Sequence, residues 1–171
     1  MSGAAATQVA VLEDRGVVSV RGADAEKLLG GLITNEIALL AAAPAMFAGL
    51  LSPQGKILFD FLVARTPDGF LLDAARATAG DLTKRLTLYK LRAAVEIRDV
   101  SDAFHVAAAW DGAQPAGWTA ARAVAFPDPR LPALGARAIV DASAALDVNA
   151  AAEDYHAHRI ALGVPEGGKD Y

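Results

Sequence analysis

The chain has 171 residues, a formal net charge of −4 at pH 7, no cysteine, and a hydrophobic fraction of 54% in which alanine predominates. These numbers exclude disulfides, thiolate metal sites and a cysteine nucleophile within these residues, and they argue against non-specific nucleic-acid binding. No segment approaches the roughly 18 to 20 bulky apolar residues of a transmembrane helix. Residues 1–6 lack the basic and apolar parts of a secretory signal. We therefore expect a cytoplasmic protein without a membrane partner.

The first half of the chain predicts strands and two helices. Residues 9–12 and 17–20 are apolar and flank residues 13–16, which is typical of a β-hairpin with glycine in the turn. Residues 24–33 have apolar side chains at helical spacing, with Asp24 near the start. Further elements are predicted as strands at about 45–51, 57–65 and 70–73, and as a second helix over residues 78–91.

The second half predicts three strands and one helix. The strands lie at about 95–100, 105–110 and 136–140, and the helix spans residues 150–161, where Gly163 and Pro165 act as stop signals. Residues 115–132 give no clear element, and Asp128-Pro129-Arg130 within them is interpreted as a rigid turn. Because strand pairs alternate with single helices, the sequence predicts an α+β fold of two ββα-type halves.

Asp60 is the first candidate site residue, because it lies in the otherwise apolar strand at 57–65. A buried carboxylate costs desolvation free energy unless a partner satisfies it. Alternation places Leu58, Asp60 and Leu62 on one side of the strand. Two interpretations stay open: a carboxylate that faces a ligand cavity, or a carboxylate on a solvated face.

Basic residues are concentrated around the second predicted helix, at Arg76, Lys84, Arg85, Lys90 and Arg92. They indicate either a solvated helix face or an anion site for a polyglutamate tail or phosphates.

His156 and His158 suggest a metal site at first sight. On a helix, however, residues two apart point about 200° away from each other, so the pair cannot chelate one ion and we expect no metal. No GxGxxG, Walker A or GxSxG pattern supports a nucleotide or serine-hydrolase function.

Five segments follow one another in a distinctive order: Gly30-Gly31-Leu32-Ile33-Thr34-Asn35-Glu36, Leu51-Ser52-Pro53-Gln54-Gly55-Lys56-Ile57-Leu58-Phe59-Asp60, Tyr89-Lys90-Leu91-Arg92, Asp128-Pro129-Arg130 and Arg159-Ile160-Ala161-Leu162-Gly163-Val164-Pro165-Glu166. Taken together, this ordered set resembles the folate-binding YgfZ family, whose relatives include the T protein (aminomethyltransferase) of the glycine cleavage system. The family's K-G-C-[YF]-x-G-Q-E loop, which normally follows the last segment, is absent from the chain. The resemblance therefore implies an N-terminal portion, with residues 1–171 forming a folate-binding domain of interleaved halves and without the C-terminal β-barrel domain.

The resemblance also implies a site. Asp60 takes the position of a carboxylate that approaches the reactive nitrogens of tetrahydrofolate, and Phe47 takes that of an aromatic residue lining the pteridine pocket. Asp73 stands where the T protein has an asparagine, and Arg159 matches an arginine near the folate. The T protein's Gly-Tyr-Thr-Gly-Glu segment has no match near residues 134–137, which weakens the case for aminomethyl transfer.

Three functional hypotheses follow from the resemblance. The first is a tetrahydrofolate-binding accessory protein in the assembly or maintenance of iron–sulfur proteins, including tRNA-modifying enzymes, with folate and iron–sulfur client or assembly proteins as partners. The second is a tetrahydrofolate-dependent aminomethyltransferase in which Asp60 is catalytic. The third is a scaffold with an empty pocket that works through protein contacts alone.

Overall fold

The computed structural model describes residues 6–119 and 123–171, so the expectation about a leader in the first residues falls largely outside the described residues. The chain divides into two compact units. The inserted unit is Asp14–Ser101, and the flanking unit is formed by Met1–Glu13 and Asp102–Tyr171. Each unit has its own β-sheet and is described by itself.

The inserted unit is a five-stranded antiparallel sheet with two α-helices. Its strands are β2 (Arg15–Arg21), β3 (Ala45–Leu51), β4 (Ile57–Thr66), β5 (Gly69–Ala75) and β6 (Glu96–Asp99), in the spatial order β3-β4-β5-β2-β6. The helices are α1 (Ala25–Gly30) and α2 (Arg76–Lys90). A short 3₁₀ helix spans Ile37–Ala41.

One face of this sheet forms the core of the inserted unit with the two helices. Val18, Phe61 and Leu72 come from three neighbouring strands and cluster with Leu29 of α1 and Leu82 of α2, all fully buried. Burying each of these large apolar side chains stabilises the fold by about 1.5–3 kcal/mol. The opposite face therefore carries the remaining side chains of the same strands.

The flanking unit contains the second antiparallel sheet and one helix. Its strands are β1 (Gln8–Val11), β7 (Phe104–Trp110), β8 (Ala123–Pro127) and β9 (Ala136–Asp141), in the order β1-β7-β9-β8. The helix is α3 (Ala152–Ala161), and 3₁₀ turns lie at Ala116–Thr119 and Pro132–Leu134. Small residues of β7 and β9 pack with Val9 and Trp118 on one face of this sheet.

The structure confirms the α+β class and corrects the expected hairpin. β1 pairs with β7, whereas β2 pairs with β5 on one side and β6 on the other. Because nearly every residue of β2 is buried, this strand takes a central position and has no free edge for β1. The division into two ββα-type halves is not confirmed.

Two further differences concern local structure. The region 115–132, for which no element was predicted, contains β8, and α1 ends at Gly30 rather than at residue 33. Within the described part of the chain, no helix is both long and apolar enough to cross a membrane.

Candidate functional site

Phe47 and Asp60 lie on the same face of the five-stranded sheet, opposite the helix-covered core. Phe47 is paired with Leu62 across β3 and β4, and Gly49 is paired with Asp60. Directly opposed residues point to the same face, so Phe47 is a diagonal neighbour of Asp60 at about 7–8 Å. Phe47 is 38% exposed and Asp60 is half-buried. The aromatic ring and the carboxylate are therefore neighbours on one face of the sheet, and both side chains are partly exposed.

Thr34 and Asn35 hold the strand that carries Phe47. The backbone N–H of Thr34 donates to the carbonyl of Gly49 at 2.9 Å, and the N–H of Gly49 donates to Thr34 Oγ1 at 2.8 Å. Asn35 Nδ2 donates to the Phe47 carbonyl at 3.0 Å. These bonds satisfy the open edge of β3, which would otherwise present unpaired backbone groups. The sequence indicated this segment only as the end of a helix and as part of a family motif.

Asp73 shares the sheet face with Phe47 and Asp60, and it is fully buried. Arg15 Nε donates to Asp73 Oδ1 at 2.6 Å, and Arg15 Nη2 donates to the Asp73 carbonyl at 2.7 Å. The guanidinium thus holds both the side chain and the backbone of β5. Sequence analysis did not identify Arg15 as a partner, because it was assigned to a turn.

Arg159 lies in the flanking unit, on α3, with 2% of its surface exposed. Its Nε donates to His156 Nδ1 at 2.9 Å, and its Nη1 donates to the Val164 carbonyl at 3.1 Å and to Asp170 Oδ2 at 2.6 Å. A backbone hydrogen bond from Glu166 and the Arg159 guanidinium together lower the pKa of Asp170. Arg159 therefore holds the segment that follows α3 in place through its hydrogen bonds to Val164 and Asp170.

The two histidines of α3 have different partners. His156 Nδ1 accepts the bond from Arg159, whereas His158 Nε2 lies 2.9 Å from the Ala133 carbonyl and its ring stacks on Trp110. Because a carbonyl only accepts, His158 must carry a proton on Nε2. The two imidazoles thus contact different groups.

A buried ionic network in the flanking unit joins the turn before β9 to α3. Arg130 donates to both carboxylate oxygens of Asp128, at 3.0 and 2.7 Å, and to Tyr155 Oη at 3.1 Å. Arg137 Nη2 donates to the same Tyr155 hydroxyl at 2.8 Å and lies 3.6 Å from Asp128 Oδ2. The segment Asp128-Pro129-Arg130, predicted as a rigid turn, thus also supplies two charged members of this network.

Electrostatics in this network favour the charged forms. Burial raises the pKa of Asp128, but the hydrogen bond from Arg130 and the positive charges of Arg137 and Arg130 outweigh it, so the pKa of Asp128 is lowered. Burial likewise lowers the pKa of Arg130, and the bond to Asp128 more than offsets it, so the pKa of Arg130 is raised. The signal missed in the sequence was Arg137, a cation inside the apolar strand β9.

Comparison with solved structures defines the class of fold. The crystal structure of the glycine cleavage system aminomethyltransferase T from Bartonella henselae superposes with a TM-score of 0.54 at 18% sequence identity, covering 60% of this chain and 28% of that one. The chain thus contains a fold of the aminomethyltransferase type. No family model matches the sequence.

Sequence comparison identifies homologues named iron–sulfur cluster assembly factor IBA57. The Mycosarcoma maydis homologue is 38% identical over 96% of this chain, and the Homo sapiens protein is 32% identical over 93%. This chain covers 45% and 51% of those two proteins, so it spans about half the length of the curated relatives it matches. Both are named as mitochondrial proteins, so the expectation of a cytoplasmic protein is wrong.

Proposed function

We propose that this chain is the folate-binding part of a factor in mitochondrial iron–sulfur cluster assembly. The observation that carries the proposal is the 38% identity to the Mycosarcoma maydis assembly factor over 96% of this chain. The aminomethyltransferase type of fold supports the folate part. Partners would be iron–sulfur assembly and client proteins, with tRNA-modifying enzymes among the clients, as the YgfZ resemblance suggests.

Tetrahydrofolate would bind at the sheet face that carries Phe47 and Asp60. A pteridine offers ring N–H donors to a carboxylate and a flat face to an aromatic ring, and the two side chains are diagonal neighbours on one face. Bound folate would supply a carrier for one-carbon groups, and Asp60 would accept N–H bonds from its ring system. Phe47 would stack on the ring and exclude water.

The other two candidates have different expected roles. Asp73 already accepts from Arg15, so we assign it to positioning β5 next to β4, the strand that carries Asp60. Arg159 belongs to the flanking unit, where it donates to His156, Val164 and Asp170, so we assign it to holding the segment after α3.

Isothermal titration calorimetry with tetrahydrofolate tests the folate part. We expect saturable binding that weakens about 5- to 150-fold in Asp60→Asn, since losing a hydrogen bond to a charged group costs about 1–3 kcal/mol. Asp81→Asn is the matched control, because it makes the same chemical change at an exposed position on α2. No saturable heat up to millimolar tetrahydrofolate would refute folate binding.

A depletion experiment tests the assembly part. The Mycosarcoma maydis homologue is depleted, and a chimera in which this chain replaces the matching segment is expressed in the same cells. We expect recovery of mitochondrial iron–sulfur enzyme activity relative to enzymes without a cluster. A chimera that is imported and stable but does not restore the activity of the iron–sulfur enzymes would contradict the assembly role.

An aminomethyltransferase is the second candidate function, because the structural neighbour is such an enzyme. Turnover of an aminomethyl donor with tetrahydrofolate distinguishes it from an accessory factor, and catalysis would then depend on Asp60. A scaffold that works only through protein contacts is distinguished by the calorimetry above, since it would not bind folate.

A further inference from the structure

A cavity of about 420 Å³ lies between α1 with the residues that flank it, the end of α2 and the loop that follows α2. All of its lining residues belong to the inserted unit, and it shares none with the sheet face of Phe47 and Asp60. Its volume is in the range of small-ligand sites, about 300–1,000 Å³.

The lining combines apolar side chains with cations. Leu28, Leu32 and Leu91 provide the apolar part, and Tyr89 adds an aromatic ring. Such a mixture of an apolar wall and a few polar groups is typical of sites that bind small organic molecules.

Three cations line this cavity: Lys27, Lys90 and Arg92. The one carboxylate, Asp24, accepts a hydrogen bond from the N–H of Ala94 at 2.8 Å. Within residues 6–119 and 123–171, none of the three cations lies within ion-pair distance of a carboxylate. The cavity is therefore electropositive in a chain whose net charge is −4.

Complementing the dipole of α2 explains only part of this arrangement. Lys90 and Arg92 lie at the end of α2, where a cation offsets the partial negative charge of the last carbonyls. Lys90 also has a local partner, because its Nζ donates to the Val95 carbonyl at 2.6 Å. Lys27 lies in the last turn of the other helix, α1, which has only six residues. All three cations thus lie near helix ends, and they come from two helices to line one cavity.

Leu91 adds evidence from the backbone. It ends α2 with φ +48°, a left-handed conformation that costs a non-glycine residue free energy, and it is 85% exposed. Strained backbone conformations cluster at active sites, ligand clamps and switch regions, and Leu91 lines this cavity.

We propose that this cavity binds a small amphipathic anion, an acidic head group on an apolar or aromatic body. The head would contact Lys27, Lys90 and Arg92, and the body would pack against the leucines and Tyr89. The proposal does not depend on the proposed function.

Two naphthalene dyes with matched bodies test this proposal on the whole chain. 1-Anilinonaphthalene-8-sulfonate carries the anionic head, and N-phenyl-1-naphthylamine lacks it. We expect saturable binding of the sulfonate, tighter than that of the neutral dye. Loss of two cations in Lys27→Gln/Arg92→Gln is expected to weaken sulfonate binding about 5- to 30-fold and to leave the neutral dye unchanged.

The control is Lys84→Gln/Arg85→Gln, which removes the same total charge from exposed positions of α2 outside the cavity. Equal weakening in both double variants, or equal affinity for the two dyes, would overturn the proposal. Displacement of the sulfonate by 2-naphthoate or by 1-naphthyl phosphate supports it and identifies the preferred head group. The proposal is also overturned if neither 2-naphthoate nor 1-naphthyl phosphate displaces the sulfonate dye.

Discussion

The buried ion pair between Arg15 and Asp73 offers a quantitative test of how the sheet of the inserted unit is held together. Arg15 is 6% exposed and Asp73 is 0% exposed, with 2.6 Å between Nε and Oδ1. Asp73→Asn would leave a buried guanidinium without its carboxylate, which costs about 3–5 kcal/mol. For a chain of this length each kcal/mol shifts the Tm by roughly 2–4 °C, so we expect a Tm lower by roughly 6–20 °C.

Thermal and urea unfolding followed by far-UV circular dichroism measure this loss. Both tryptophans, Trp110 and Trp118, lie in the flanking unit, so their fluorescence follows that unit separately. Asp68→Asn is the matched control, because Asp68 pairs with Arg21 at 3.3 Å on the surface and should cost less than about 1 kcal/mol.

The reasoning is refuted if Asp73→Asn is as stable as Asp68→Asn. A second variant separates the cost of losing this carboxylate from the cost of lost packing. Arg15→Met added to Asp73→Asn removes the buried guanidinium that has lost the Asp73 carboxylate, so we expect it to recover part of the lost stability. Further loss of stability in the double variant would contradict an electrostatic origin.

Three further predictions concern the other sites. Asp60→Asn should leave the Tm within about 2 °C of the parent while folate affinity falls, because the amide keeps the side-chain volume and costs less to desolvate than the carboxylate. A large drop in Tm with unchanged affinity would make Asp60 a structural residue. Tyr155→Phe removes the acceptor shared by Arg130 and Arg137 and should cost about 2–4 kcal/mol in urea unfolding, whereas a cost below about 1 kcal/mol would contradict the network. The pKa of Asp128 in the folded state lies below its ordinary value of 3.8, so its contribution to stability is complete above about pH 4 and is lost as the pH falls through the folded pKa. Asp128→Asn should therefore reduce the loss of stability at acid pH, measured by urea unfolding as a function of pH. An unchanged acid dependence would contradict this prediction.

Much of the local structure could be predicted from the sequence because it depends on local periodicity. The strands β3 and β4 lie where alternation and the turn residues placed them, and α3 ends at the glycine and proline signals. The position of Asp60 on the face away from Phe61 also followed from the period of a strand.

Strand partners and ion-pair partners could not be predicted, because they depend on contacts between distant residues. β1 and β2 are neighbours in sequence with a good turn between them, yet each pairs in a different sheet. Arg15 and Asp73 are 58 positions apart. β8 was missed because Pro127 and the prolines around it dominate the local signal, although an edge strand tolerates proline.

Asp60 and Asp73 show why a carboxylate in an apolar strand does not by itself identify a ligand site. Both lie among apolar neighbours, and both point to the same sheet face. The register of β2 with β5 places Arg15 opposite Ala75, one step along that face from Asp73, so its guanidinium reaches this carboxylate. Asp60 lies two strands away from β2, half-buried and opposite Gly49, beside the exposed ring of Phe47. The same sequence signal thus marks a structural pair in the middle of the sheet and a candidate ligand group near its edge, and only the strand register separates the two.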